Sequence, residues 1–308
     1  MKGPLFYAKI LLFGEYGIIK DSKGLAIPFN AYRGALKTSS NLVDNAKKSN
    51  ENLQRFYDYL ANLETDLVTF NLKKLQKDIV NGMYFDSSIP QGYGVGSSGA
   101  LVASIYDEYA ADKITVLENL TREKLLKLKE VFSLMESFFH GKSSGLDPLN
   151  SYLSLPILIN SKIDIEPAGI PSQKEGKGAV FLLDSEQIGE TEPMVNIFMN
   201  KMKSEGFRKM ISEEFATTTD ICIDNFLQGD VKSLFGNVKN LSKIVLKNFK
   251  PMIPVAFHKV WEKGIKTNDY YLKLCGSGGG GYILGFTEDY QKAQQSLKDY
   301  KLELVYRF

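Results

Sequence analysis

The chain has 308 residues, 44% of them apolar and 24% charged, the make-up of an ordinary globular protein and longer than one core usually supports. Its 38 basic and 36 acidic residues leave a net charge of +2, which gives no broad electrostatic footprint for nucleic acid. Two cysteines, Cys222 and Cys275, offer neither a disulfide framework nor a CxxC metal pair and suit a reducing, cytoplasmic setting.

The apolar run over residues 6–13 is cut short by Gly14 and Glu15 and carries no small-residue cleavage signal. It predicts a buried strand, not a signal peptide or a bilayer span. Residues 25–36 predict further strand, with Pro28 marking an edge or a bulge. Phe56, Leu60, Leu63 and Leu67 recur at three- to four-residue spacing and predict helix within residues 49–80. After Pro90 a glycine-rich loop runs into a helix over 98–111, where Leu101, Val102, Ile105, Tyr106 and Tyr109 share a face. Thr121 caps a helix reaching about residue 139, with Glu123 in its first turn. The polar, turn-rich segment 170–178 suits a boundary between two domains, 1–172 and 173–308. Beyond it the pattern predicts a strand at 179–184, helix over 195–210 and 220–249, and strands at 271–274 and 282–286. Such uneven alternation predicts α+β in preference to a doubly wound sheet.

Three glycine-bearing segments punctuate this order: residues 9–16 (KILLFGEY), 90–100 (PQGYGVGSSGA) and 273–286 (KLCGSGGGGYILGF). Glycines let backbone approach a ligand and aim several N–H groups at one place, and a helix opening behind them adds the positive end of its dipole. The middle segment therefore reads as an anion site, phosphate first, with a purely structural glycine turn as the alternative. It satisfies GxGxxG formally, but no acidic residue some twenty positions on ends a second strand, which argues against a dinucleotide fold. No GxxxxGK[ST] string and no protein-kinase HRD or DFG exists. Residues 136–147 (ESFFHGKSSGLD) gather Glu136, His140, Ser144, Gly145 and Asp147 within twelve positions. Of two carboxylates flanking a Gly/Ser turn, one suits Mg²⁺ and the other can orient or deprotonate a hydroxyl. His140 reads as a helix terminator, with general base as the alternative.

In order and spacing these segments resemble the GHMP small-molecule kinases, and among their branches the mevalonate kinases. FYAKILLFGEY is similar to APGKVILFGEH, PQGYGVGSSGA to PPGAGLGSSAA, and residues 136–147 to E…HGxxSGxD. The resemblance implies a two-domain α+β fold, an N-terminal domain with a left-handed βαβ unit and a ferredoxin-like C-terminal domain. It implies ATP-dependent, Mg²⁺-assisted phosphorylation of a primary alcohol, mevalonate to 5-phosphomevalonate in isoprenoid precursor synthesis. Gly92, Gly94, Gly96, Ser97, Ser98 and Gly99 would surround the ATP phosphates, and Ser98 (or Ser97) with Glu136 would hold Mg²⁺. Asp147 would sit beside the acceptor hydroxyl with Lys9 close to it, and Glu15, Tyr16 and Thr191 would border the acceptor. The implied partners are ATP and a small alcohol, with no nucleic acid or membrane, and homodimers as many family members form.

Departures bear on the acceptor. Tyr16 stands where mevalonate kinases typically carry His, GEY being common in phosphomevalonate kinases, and Gly99 replaces an alanine. Phosphomevalonate, homoserine and sugars are the alternative acceptors. From another class, a non-catalytic sensor of ATP and a metabolite is the alternative, against which the trio Lys9, Glu136 and Asp147 argues. Gly276 and Gly278 to Gly281 support the site through close packing or line it, and Cys275 reads as a small buried side chain.

Overall fold

Six of the eight residues in strand β1 (Phe6–Phe13) are buried, as a largely apolar run should be, Lys9 being its one charged member. The computed structural model describes residues 4–20, 22–115 and 120–308. After β1 come β2 (Gly24–Thr38), α1 (Asp44–Ala61), α2 (Leu72–Val80), β3 (Met83–Ser87), α3 (Ser97–Tyr109), α4 (Arg122–His140), α5 (Leu146–Leu153), β4 (Ile157–Ser161) and β5 (Asp164–Pro167). The remainder comprises β6 (Ala179–Asp184), α6 (Thr191–Lys201), α7 (Glu205–Met210), a π-helical turn (Ile211–Phe215), α8 (Ala216–Gln228), α9 (Val231–Asn248), α10 (His258–Thr267), β7 (Tyr271–Leu274), β8 (Tyr282–Thr287), α11 (Tyr290–Ser296) and β9 (Leu302–Arg307).

Two compact units are each assembled from separated stretches. One takes the chain up to Lys9, Pro28–Pro90 and Gly96–Leu155; the other takes Ile10–Ile27, Gln91–Val95 and Pro156–Phe308. In the first unit, β3 pairs antiparallel with the end of β2, from Gly34↔Ser87 to Thr38↔Met83. Leu53, Phe56 and Leu60 of α1 and Leu75 and Ile79 of α2 are buried with them. Tyr106 of α3 meets Phe132 of α4 and Tyr152 of α5 edge-on, at centroid distances of 5.0 and 5.2 Å. These edge-to-face rings, with Leu128, Val131, Met135 and Leu149, form the core that α3, α4 and α5 share.

In the second unit the sheet order is β7-β8-β6-β9, all antiparallel. Counting strands within this sheet, that is 2-3-1-4, the ferredoxin-like order. Five of the six residues in the central strand β6 are buried, and Trp261 of α10 anchors to α9 by donating to Ser242 Oγ at 2.8 Å. The start of β2 pairs with β4, which turns into β5. Pro28 falls between the stretches of β2 paired to β4 and to β3, where its missing N–H breaks neither of those ladders. The chain is α+β in two parts, as expected. Among the described residues no helix is long and apolar enough to cross a membrane.

Long helices break where the apolar period alone would carry them on. Residues 49–80 hold parts of two helices, and Leu63 and Leu67 lie outside both. There the Leu67 N–H donates to Thr65 Oγ1 at 3.1 Å, a local bond that competes with helix. The helix expected over 220–249 stops at Gly229, whose φ of 70° ends α8, and Asp230 then caps α9 by accepting from the Ser233 N–H. The segment over 195–210 breaks between α6 and α7. Strands β3, β4, β5 and β9 and helices α5, α10 and α11 lie outside the expected elements.

Candidate active site

Lys9 sits in the buried strand β1 and is itself only 5% exposed. A buried ammonium needs a partner, and it has one: Nζ lies 2.8 Å from Asp147 Oδ1. Asp147 stands in the first turn of α5, where a helix favours negative charge. Gly145 precedes that turn with φ 71°, and a Cβ there would stand 2.0 Å from the Lys129 carbonyl oxygen of α4. Only glycine lets the α4–α5 turn lie that close to α4.

The N-terminus of α3 closes on the same pair. Gly96 holds φ 79° before Ser97, and a Cβ on it would meet Lys9 Cγ at 2.9 Å and Asp147 Oδ2 at 3.8 Å. Gly99, one turn in, would drive a Cβ to 2.7 Å from the Asp147 backbone carbon. The glycine that departs from the family pattern therefore has a local reason: α3 and α5 touch backbone to backbone there. The first-turn N–H groups of α3, which a helix leaves without internal partners, thus open beside a lysine and a carboxylate.

Ser98 Oγ donates to Glu136 Oε1 at 3.0 Å, and Ser143 Oγ donates to Glu136 Oε2. Glu136 lies on α4 and is 3% exposed. Burial, first, and the nearby Asp147 charge push its carboxyl up to about 7, against the pull of the two serines and Lys9. A hydroxyl and a carboxylate side by side are hard oxygen donors of the kind Mg²⁺ accepts together with phosphate oxygens. Among the described residues no group of three or more His, Cys, Asp or Glu is placed to hold a metal. The donor set suits the pair Mg·ATP. His140 closes α4, and its side chain lies outside the described residues.

The second unit contains the other sequence candidates. Glu15 Oε1 meets Lys273 Nζ of β7 at 2.6 Å, both side chains 5% exposed. Tyr16 OH donates to the Ser277 carbonyl at 2.7 Å, its ring against Phe198 and Phe249, and burial raises its phenol pKa. Ser277 Oγ is 3.5 Å from Thr191 Oγ1. Glu15, Tyr16 and Thr191 thus gather around the start of the last glycine segment. Here glycine serves packing: a Cβ on Gly94 would come 2.5 Å from the Cys275 carbonyl oxygen, and on Gly281 2.4 Å from Tyr93 Cα. Gly92 O accepts from the Gly189 N–H at 2.9 Å. Cys275 is buried, as its sequence context suggested.

Sequence reasoning assigned no role to Lys273, Ser277 or Ser143. A lysine inside an apolar strand beside a glycine cluster was the available signal for Lys273. Its partner lies 258 positions away, beyond any local pattern.

Residues 61–154, which include the middle glycine segment, Glu136 and Asp147, match the family model described as GHMP kinases N terminal domain. Solved structures cover nearly the whole chain. The L. major mevalonate kinase in complex with R-mevalonate is 15% identical over 97% of this chain and 93% of that one, with a TM-score of 0.61. The Streptococcus pneumoniae phosphomevalonate kinase in complex with phosphomevalonate and AMPPNP is 13% identical over 98% of each, at 0.62. The Lactococcus lactis galactokinase complexed with galactose is 12% identical over 98% of this chain and 92% of that one, at 0.62. No curated protein sequence matches. At these identities the likeness to solved structures is one of fold, and that fold is the one the GHMP kinases share.

Proposed function

We propose that this chain is an ATP-dependent small-molecule kinase that transfers the γ-phosphoryl group to a primary alcohol, mevalonate first among the acceptors. The observation that carries the reading is the Lys9–Asp147 ion pair at the opening of α3, with Ser98 and Glu136 joined beside it. Mg·ATP would supply the phosphoryl group with its charge partly neutralised. The residues then have positioning and electrostatic work to do. Asp147 is 36% exposed at its side chain, so it can accept the hydrogen bond of an acceptor hydroxyl, while buried Lys9 keeps that carboxylate fixed. The α3 N-terminus and the Lys9 ammonium offer positive potential to a group that gains negative charge at its oxygens. Ser98 and Glu136 would hold the cation.

A phosphorylated acceptor is the second reading, favoured by Tyr16. Its hydroxyl is committed to the Ser277 carbonyl, so its donor is not offered to an alcohol. The test is ADP release with Mg·ATP and, in turn, mevalonate, phosphomevalonate, homoserine and galactose. Turnover on mevalonate alone supports the first reading. Turnover on phosphomevalonate moves the enzyme to the second, and no turnover with ATP still bound favours a sensor.

A further inference from the structure

The turn between α4 and α5 contains a hydroxyl that phosphoryl transfer, as described, leaves unused. Ser143 Oγ donates to Glu136 Oε2 and at the same time accepts the Gly145 N–H at 3.0 Å. Its own carbonyl accepts from Ser133 Oγ of α4 at 2.6 Å. Glu136 is buried, and a buried carboxylate oxygen left without a donor is costly. Ser98 serves one oxygen and Ser143 the other, from two different elements. Gly145 caps α5, which carries Asp147 in its first turn. A single side-chain oxygen therefore joins the carboxylate suited to a cation with the cap of the helix that presents Asp147. The adjacent Ser144 does something else: it is exposed, and its Oγ accepts from the Leu146 N–H at 3.4 Å.

We propose that Ser143 is a positioning residue for the cation site: its hydroxyl fixes the rotation of the Glu136 carboxylate, so that Glu136 and Ser98 meet a divalent ion as a set pair. The inference rests on the phosphoryl-transfer reading. A hydroxyl that merely shapes the turn would behave differently, because Ser133 holds the same turn without touching Glu136. The turn's two serine bonds can thus be cut separately.

The experiment compares Ser143→Ala, Ser143→Thr and Ser133→Ala in the full chain. Calorimetry measures AMPPNP binding with Mn²⁺ and without any divalent ion, and thermal melts check that each variant folds. Ser143→Ala should weaken Mn²⁺-dependent AMPPNP binding by about 10- to 100-fold, the usual cost of removing a partner that orients a metal ligand. Metal-free AMPPNP binding should stay at the wild-type level, Ser143→Thr should restore the loss, and Ser133→Ala should leave metal dependence intact. Unchanged metal dependence in Ser143→Ala, or equal losses in Ser143→Ala and Ser133→Ala, would overturn the proposal. So would a wild-type chain whose AMPPNP binding ignores Mn²⁺. If wild type turns over no acceptor while Ser143→Ala still loses metal-dependent binding, the kinase reading fails and the positioning role stands.

Discussion

Each unit buries a lysine in a strand and pairs it with a carboxylate, and the two pairs differ in one respect. Lys9–Asp147, in the first unit, leaves its carboxylate 36% exposed; Glu15–Lys273, in the second, is sealed at 5% on both sides. A charge that water and substrate can reach is able to react. A charge sealed with its counterion can only hold parts together, since a buried pair adds little net stability but is costly to break. The same kind of ion pair, lysine with a carboxylate, thus suits chemistry in one unit and fastening in the other.

The sharpest way to break this comparison is Asp147→Asn. It should lower kcat by about 10²- to 10⁴-fold, the range general acid–base groups supply, with ATP binding spared. A coupled ADP assay and calorimetry measure the two quantities, and equal loss of both would remove the catalytic assignment. The sealed pair should respond in stability. Lys273→Met removes the ammonium that meets Glu15 Oε1 inside the protein, and breaking a buried pair from one side should cost about 3–5 kcal/mol by urea unfolding. Adding Glu15→Leu should recover much of that, because the buried charge is gone too; no recovery would mean that the pair contributes more than charge balance.

Smaller effects come from the glycines. Gly281→Ala sets a Cβ against Tyr93 backbone at a φ of 68°, and strain of this kind costs about 1–3 kcal/mol. Gly99→Ala crowds the Asp147 backbone instead, so its mark should be a fall in kcat out of proportion to the drop in melting temperature. A separate effect is in pH. Glu136 titrates near 7 when folded, against 4.5 for an ordinary glutamate. The folded state alone keeps this proton between those values, so the stability it brings is complete below 4.5 and lost as pH rises through about 7. Unfolding of the ligand-free chain should show that loss, and Glu136→Gln should flatten it.

Much of this architecture is written locally. Strand β1 follows from one apolar run, α4 from the Thr121 cap and its period, β6 from AVFLLD. The break before α9 contradicts the single helix expected over 220–249, although Gly229-Asp230 holds a local signal for it, a left-handed stop beside a capping residue. Strands β4, β5 and β9 are short and partly polar, and their identity depends on the neighbours they pair with. The candidate site divides in the same manner. Glu136, Ser98 and Asp147 lie on recognisable motifs, whereas Ser277 is tied to Tyr16 across 261 positions and Lys273 to Glu15 across 258. Only folding brings such residues together.

Strand β1 has a consequence for how the protein is made. Lys9 belongs to one compact unit and Ile10 onward to the other, whose bulk lies after residue 155. During synthesis, residues 10–27 leave the ribosome well before the partners beyond residue 155 and wait for them. Such distant contacts are slow to form and leave apolar surface uncovered meanwhile. A nascent chain halted midway would hold Leu12, Phe13 and Leu25 without their cover, which makes this stretch a natural handle for a chaperone.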